Sequence, residues 1–242
     1  MGEYGVEMEI NARPWNVFDA RTPILTYPYS FGPGSANALV VGGPQGLVVV
    51  SPPCGVALSV FEELSLHGQV CALIAPNAFH HLGLREWTSL FPAAQVYAPA
   101  QSIARLEHRT RLMNIRPLAE LGALTGAHLR LVDMPFYRTG EALVSAESER
   151  GLVWYLTDIV TNFAALPDHL IVKILFGLSG SAPGLRFNNI ASTLMVRDKA
   201  ALKRWLADEI AKARPQWLIP AHGDIVELRS APILAQRLFA RS

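Results

Sequence analysis

The chain has 242 residues, of which 50% are hydrophobic and 17% are charged, so it carries enough apolar material for a large core. This length fits one α/β or β-sandwich domain, and we expect a single domain over residues 1–242. A formal net charge of +1 without a block of like charges argues against a nucleic-acid or membrane partner and favours a small-molecule ligand.

The first part of the chain predicts strands that alternate with helices. Two apolar β-runs flank the turn sequence Gly-Gly-Pro-Gln-Gly, which is typical of a hairpin. Apolar residues then recur at helical spacing before the next short strand begins. The predicted elements are strands at 37–41 and 47–51, a helix from Val56 to Leu64, a strand at 70–75, a helix at 83–91 and a strand around Val96 and Tyr97.

The second part predicts a β-rich half followed by a helix and a last strand. Residues 177–189 are rich in Gly, Ser, Pro and Asn, and we interpret them as a long loop placed to cover a site. Asp198 caps a predicted helix that ends at Arg214. The other predicted elements are strands at 128–133, 142–146 and 152–157, an apolar strand running into His222, and a final amphipathic segment.

The sequence carries no targeting signal that we recognise. No apolar run approaches the roughly 20 residues needed to cross a bilayer. The N-terminal residues carry acidic side chains early and lack the basic and then apolar order of a secretory signal. We therefore expect a cytoplasmic protein, and a homodimer stays open because no sequence stripe defines a partner surface.

Polar residues follow three short apolar runs, which makes the strand ends a candidate site. His80 and His81 follow the first run, Asp158 the second and His222 the third. Ligand sites often form at strand ends, and imidazole with carboxylate is a ligand set for zinc or non-haem iron. The alternative is structural, because a histidine before a glycine and an aspartate at a strand end also serve as hydrogen-bonded turn residues.

The local strings resemble the metallo-β-lactamase superfamily over roughly residues 37–228. Three strings carry the resemblance: His81-Leu82-Gly83 matches the end of T-H-x-H-x-D-H-x-G, Thr157-Asp158 matches G-D, and Ala221-His222-Gly223 matches G-H-G. The resemblance implies an α/β fold, a four-layer αββα sandwich with its site at one edge of the sheets. The string PNAFHHLGLREW further resembles a domain-of-unknown-function branch that brings no established substrate.

The metal motif is incomplete. Pro76 and Ala78 stand where the family has two histidines, and Tyr137 stands near a third. The family's motif aspartate is His80 here, and its second-shell aspartate is Ser51. All three missing histidines belong to one metal of the family's binuclear pair. The resemblance therefore implies that one metal site survives, with His80, His81, Asp158 and His222 as its ligands.

Two functions follow from this site. In the first, one divalent metal, zinc or iron, supports hydrolysis of a small ester, lactone or phosphodiester, with Asp158 and His80 catalytic and with Tyr137 and Arg138 binding substrate. His80 in place of an aspartate removes a proton acceptor and one negative charge, so poor activity, or none, is expected. In the second, the fold binds no metal and acts as a binding or structural protein. Redox chemistry on iron is a third possibility, which nothing in the sequence favours over zinc.

Overall fold

The computed structural model describes residues 14–32, 34–166, 170–228 and 238–239. Within these residues the chain forms two β-sheets that pack face to face, with helices against both outer surfaces. None of the helices in these segments is long and apolar enough to cross a membrane. The α/β class and the two-sheet sandwich with flanking helices, expected from the sequence, are confirmed.

The first sheet has seven strands that follow one another across the sheet in chain order. They are β1 (Asn16–Asp19), β2 (Ile24–Phe31), β3 (Gly34–Gly43), β4 (Gly46–Val50), β5 (Val70–Ile74), β6 (Gln95–Ala98) and β7 (Arg116–Pro117). The predicted hairpin is β3 with β4, which pair antiparallel from Leu39 with Val50 to Gly43 with Gly46. Strands β4 to β7 are parallel, as expected for strands joined by helices.

The second sheet has six strands in the order β13-β12-β10-β9-β8, and the sixth, β11, pairs with β10. They are β8 (Leu129–Asp133), β9 (Ala142–Ser148), β10 (Gly151–Phe163), β11 (Gly184–Phe187), β12 (Trp217–Gly223) and β13 (Val226–Glu227). Strand β12 runs parallel to β10. Asp158 on β10 and His222 near the end of β12 therefore lie on neighbouring strands.

Alternation along the strands distributes the core over both faces of each sheet. In β4, Val49 belongs to the outer core, whereas Val48 and Val50 belong to the core between the sheets. The α-helices are α1 (Leu58–Ser65), α2 (Leu84–Leu90), α3 (Ile103–Thr110), α4 (Gly122–Thr125), α5 (Leu170–Ser179), α6 (Asn189–Met195) and α7 (Lys199–Ala213). Helices α1 to α3 contribute to the outer core of the first sheet, and α6 and α7 to that of the second. Asp198 caps α7 as predicted, because its carboxylate accepts from the Ala201 N–H at 2.9 Å.

Strand β10 is longer than the sequence indicated, and this moves Asp158 from a strand end into a strand. The prediction ended the strand at residue 157, but β10 continues to Phe163. Its register with β12 shifts, because Leu156 pairs with Pro220 and Thr161 with His222, so that the four residues 157–160 lie opposite Ala221 alone. A bulge of this kind re-aims side chains. Asp158 lies in this bulge, beside His222.

The interpretation of residues 177–189 as one long loop was wrong. Helix α5 continues to Ser179, β11 begins at Gly184, and Asn188 caps α6. Strand β11 exists because the extended part of β10 offers it an antiparallel partner from Val160 to Phe163. Within the predicted loop, residues 180–183 connect α5 to β11, and Asn188 connects β11 to α6. Most of the predicted last amphipathic segment lies outside the described residues.

Candidate metal centre

Three side chains from distant parts of the chain meet at one edge of the two sheets. His80 follows β5, Asp158 lies in the β10 bulge, and His222 lies near the end of β12. One ligand atom from each lies within 4.8 Å of the others. The His222 Nε2 atom is 3.0 Å from Asp158 Oδ1, and the His80 Nε2 atom is 3.6 Å from the same oxygen. The structure therefore brings together three of the four predicted ligands.

His222 has one ring nitrogen committed to the backbone. Its Nδ1 lies 2.7 Å from the Ser35 carbonyl oxygen, so Nδ1 carries a proton and donates it. Its Nε2 faces Asp158. Burial alone would lower the pKa of His222, but the hydrogen bond and the charge of Asp158 raise it above its ordinary value. In the absence of a metal, a proton on Nε2 therefore holds the two side chains together.

His80 is held by a hydroxyl chain on its other side. The His80 Nδ1 atom is 2.7 Å from the Ser51 Oγ atom, which is 3.0 Å from the Tyr29 hydroxyl. Burial raises the pKa of Tyr29 to about 12, so this hydroxyl keeps its proton at neutral pH. The chain fixes the His80 ring with Nε2 towards Asp158.

Ser51, His80 and Asp158 thus have the connectivity of a serine hydrolase triad. Ser51 also has a positive φ of 55° at the sharp turn after β4, as a nucleophilic serine often does. However, Ser51 is only 1% exposed, so no substrate carbonyl reaches its hydroxyl. We therefore interpret Ser51 as a residue that positions His80.

Asp158 is fixed by Asn77, which sequence reasoning missed. The Asn77 Nδ2 atom donates to Asp158 Oδ2 at 2.6 Å. The Asn77 Oδ1 atom accepts the backbone N–H of His80 at 3.1 Å. One fully buried amide therefore ties the loop that carries His80 to the carboxylate that faces it. A single asparagine after an apolar strand gave no sequence signal beyond that of a turn.

Glu141 forms the buried base of this network and was also missed. Its carboxyl group contacts the Asn77 Nδ2 atom at 3.0 Å and the Thr157 hydroxyl. Burial, and then the charge of Asp158, raise the pKa of Glu141 well above its ordinary value. Glu141 therefore keeps its proton to a higher pH than an exposed glutamic acid does. A lone acid before the apolar run 142–146 was the available signal.

Asp158, in contrast, stays ionised. Burial alone would raise its pKa, but the charge of His80 and the hydrogen bond from His222 outweigh burial and hold the pKa well below its ordinary value. The pKa values of two carboxyl groups that share one amide are thus shifted in opposite directions. This arrangement favours one negative charge in the site over two.

Glycines in two of the sequence strings allow close backbone contacts. A Cβ atom on Gly83 would collide with the carbonyl oxygens of Pro52 and Pro53, which follow Ser51. A Cβ atom on Gly223 would collide with the backbone of Asn162, and its φ of +105° also favours glycine. The two glycines therefore keep the segments that carry His80 and His222 tight against the sheet ends.

The three side chains open onto a cavity of about 120 Å³. Its walls are mostly aromatic or apolar around the polar cluster: Tyr29, Phe31, Phe79, His80, His81, Leu82, Asp158 and His222. His81 lies in this wall, but not in the group of three ligand atoms that the described residues form. Its Nδ1 donates to the Phe79 carbonyl at 2.9 Å. Burial and nearby positive charges lower the pKa of His81, so its ring is neutral at pH 7.

The predicted substrate-binding pair lies elsewhere. Tyr137 is 4% exposed and belongs to the outer core of the second sheet. Its hydroxyl has no hydrogen-bond partner among the described residues. The Arg138 guanidinium bonds the carbonyl oxygens of Thr193 and Val196, at the end of α6. Neither side chain lines the cavity beside His80.

The donor set fits a divalent metal of the zinc type. Two ligands about 2.0 Å from a tetrahedral zinc lie about 3.3 Å apart. The Nε2 atoms of His222 and His80 lie 3.0 Å and 3.6 Å from Asp158 Oδ1, on either side of that value. Both histidines have their Nδ1 atoms engaged and their Nε2 atoms towards the carboxylate. This second-sphere pattern is usual for metal-binding histidine.

Comparison with known proteins shows the fold. No protein-family model and no curated protein matches the sequence. The metallo-β-lactamase FIM-1 from Pseudomonas aeruginosa in its mono-zinc form superposes with a TM-score of 0.58 at 12% identity, over 94% of this chain and 96% of that chain. A metallo-β-lactamase from Erythrobacter litoralis gives 0.58 at 15% identity, over 93% and 91%.

A second kind of protein shares the same architecture. A metal-soaked flavodiiron core from Synechocystis sp. PCC6803 superposes with a TM-score of 0.60 at 12% identity. The match covers 93% of this chain and 60% of that one. The chain therefore has the metallo-β-lactamase fold that its sequence strings implied.

Proposed function

We propose that this chain is a mononuclear metal-dependent hydrolase of a small ester, lactone or phosphodiester. The observation that carries the proposal is the convergence of ligand atoms from His80, Asp158 and His222 within 4.8 Å, at the wall of a cavity. The FIM-1 lactamase in its mono-zinc form is an instance of this fold with one zinc. Zinc or iron is the proposed cofactor, and His81 stays a predicted further ligand.

The residues of the chain would act as holders and as a proton acceptor. His80 and His222 offer Nε2 atoms, and Asp158 offers Oδ1, while Ser51, Asn77 and the Ser35 carbonyl fix their orientations. A bound divalent metal supplies Lewis acidity, which polarises a carbonyl or phosphoryl oxygen and lowers the pKa of water from about 15.7 towards 7. Asp158, kept ionised, accepts the proton that the attacking water loses.

The structure limits the two roles predicted for His80. Its Nδ1 is engaged with Ser51, so ligation and proton transfer would compete for the single remaining atom, Nε2. In this proposal His80 only holds the metal, because its Nε2 has a single lone pair. Asp158 would also accept the proton on Oδ1, which keeps a second lone pair, since its Oδ2 accepts from Asn77. The aromatic walls Phe31 and Phe79 exclude part of the bulk water from the cavity.

The test is hydrolysis with and without added zinc or iron. The substrates are para-nitrophenyl acetate, a small aryl lactone and bis-para-nitrophenyl phosphate. We expect metal-dependent turnover of at least one substrate, and none above buffer for the Asp158→Ala/His222→Ala variant. A variant with Asp208→Ala and His108→Ala changes the same residue types at exposed positions and should match the parent. Absence of turnover by the metal-loaded parent on all three would contradict the proposal.

The metal-free alternative also has an observation in its favour. The His222 Nε2 atom and Asp158 Oδ1 already satisfy each other at 3.0 Å, so the cluster is stable with a proton in place of a metal. A binding or structural protein of this fold would keep the network and take no metal. Metal content after dialysis separates the two, because the alternative predicts none even after zinc is added back.

A further inference from the structure

Two arginines stand beside the mouth of the cavity on helix α3. Arg105 and Arg109 are four residues apart, which places them on the same face of the helix. Both are exposed, whereas Leu106 and Thr110 of the same helix are buried. The Arg105 guanidinium lies 4.7 Å from the centroid of the Phe79 ring, and Phe79 lines the cavity.

Arg109 lies one helical turn after Arg105 on α3, so the two guanidinium groups share the helix face that contacts Phe79. Because Phe79 lines the cavity, both positive charges lie on the Phe79 side of its opening. Stacking on Phe79 holds Arg105 at that opening rather than in free solvent.

Neither arginine has an acidic partner among the residues that the structure describes. The ion pairs of the described segments involve other side chains. Glu107, the acid within α3, is two residues from each arginine and does not share their face. Like charges at this spacing destabilise a helix unless an anion compensates them. Asp158, the cavity's own carboxylate, is already engaged with two histidines and an asparagine.

The size of the cavity indicates how a substrate would use this pair. A volume of about 120 Å³ is below the range of about 300–1,000 Å³ for pockets that enclose a whole small ligand. Only the reacting group fits beside His80 and His222, so the rest of a substrate would pass Phe79 and reach α3. A guanidinium fork matches a carboxylate or a phosphate oxygen pair.

We propose that Arg105 and Arg109 form an anion-recognition subsite, and that the substrate is a small molecule with a carboxylate or phosphate group beside its reacting bond. This inference rests on the proposed hydrolase function. In this proposal, Arg105 and Arg109 of α3 select the substrate, whereas His80, Asp158 and His222 hold the metal.

The first test is anion binding by the metal-free protein at pH 8, followed by NMR of the backbone amides near Phe79. The probes are succinate, inorganic phosphate and the neutral succinamide. We expect succinate or phosphate to bind and succinamide not to bind. The Arg105→Gln/Arg109→Gln variant should weaken anion binding about tenfold, as expected for two exposed charge contacts. Binding that is equal for succinate and succinamide would overturn the inference.

A charge-matched control separates recognition from general electrostatics. The Arg197→Gln/Arg204→Gln variant removes two positive charges at exposed positions before and within α7. It should bind succinate as the parent does. If it weakens binding as much as the α3 variant, the anion responds to net charge alone and the subsite is wrong.

The second test compares two esters on the zinc-loaded protein, mono-para-nitrophenyl succinate and para-nitrophenyl acetate. We expect a preference in kcat/KM for the anionic ester that the α3 variant loses through KM, with kcat and the neutral ester unchanged. Equal kcat/KM for the anionic and the neutral ester would contradict the anion subsite but would still support the hydrolase function. Anion binding at α3, together with no turnover of these esters, the aryl lactone or the phosphodiester by the metal-loaded protein, would contradict the hydrolase and support the subsite.

Discussion

The edge of the sheets where His80, Asp158 and His222 meet has a polar side and an apolar side, although the loop after β5 contributes residues to both. On one side, Asn77 and His80 join a hydrogen-bonded network around Asp158. On the other, Pro76 and Ala78 are buried and offer no ligand atom. Tyr137, the residue near the third missing ligand, is buried in the outer core of the second sheet. The resemblance places one metal on each side in the family.

A polar half and an apolar half of the site edge therefore coexist in this fold. In the polar half, buried donors and acceptors are paired. Asn77 donates hydrogen bonds to Asp158 and Glu141, and the Ser51 hydroxyl is hydrogen-bonded to His80. Apolar side chains at the other half leave no buried charge that needs a metal. Each half can therefore be perturbed separately.

The largest expected effect lies in the polar half, at Glu141. Replacing Glu141 by Ala leaves the Asn77 amide and the Thr157 hydroxyl without a buried partner and opens a cavity, which should cost about 3 kcal/mol of unfolding free energy. Glu141→Gln is the matched control, because a neutral amide mimics the protonated acid, and it should cost less than about 1 kcal/mol. Urea unfolding at pH 6 measures both.

The pH dependence of this pair has a definite sign. Above about pH 4.3 the unfolded chain ionises Glu141, whereas the folded chain keeps its proton to a higher pH. The folded state then binds more protons, so this residue lowers stability as pH rises. The difference in unfolding free energy between Glu141→Gln and the parent should therefore change in favour of the variant as the pH rises from 5 to 8. A change in favour of the parent would show that Glu141 is ionised in the folded protein.

A smaller effect should appear in the pH dependence of zinc binding. Burial lowers the pKa of His222, but Asp158 raises it more, so a proton occupies Nε2 below the raised pKa. Zinc must displace this proton, and affinity should fall about tenfold per pH unit below that pKa for one displaced proton. Competition with a chromophoric chelator at pH 6, 7 and 8 measures the slope. An affinity independent of pH would place zinc away from His222.

The smallest effect is expected on the apolar side. Tyr137→Phe removes a buried hydroxyl that has no partner in the described part of the chain. Loss of an unpaired hydroxyl should be neutral or should stabilise by about 1 kcal/mol, and zinc affinity should not change. Urea unfolding and the same chelator competition provide the measurement. Clear destabilisation would show that the hydroxyl has a partner in the folded protein, and weaker zinc binding would show that Tyr137 supports the metal site.

Much of the fold could be predicted because its signals are local. The β3–β4 hairpin, the helix capped by Asp198 and the strand before His222 follow from turn residues, a cap and apolar periodicity. The β10 bulge could not, because it depends on the pairing of β10 with β12. Strand β11 was missed for a similar reason, since its partner is the unexpected extension of β10.

The site residues likewise fall into those with a local sequence signal and those whose role depends on distant contacts. His80, Asp158 and His222 could be predicted because ligand residues after apolar runs, together with the three strings, give a signal. Asn77 and Glu141 could not, because their role depends on contacts 64 residues apart in the chain. The position of Tyr137 in the sequence also did not indicate that its side chain is buried in the outer core of the second sheet.

We propose one metal site, formed by His80, Asp158 and His222. Its most direct test is the zinc content of the untagged protein, by elemental analysis after zinc loading and dialysis, beside the Asp158→Ala/His222→Ala variant. The account predicts about one zinc per chain in the parent and almost none in the variant. A parent without zinc, a parent with two, or a variant that keeps its zinc would contradict it.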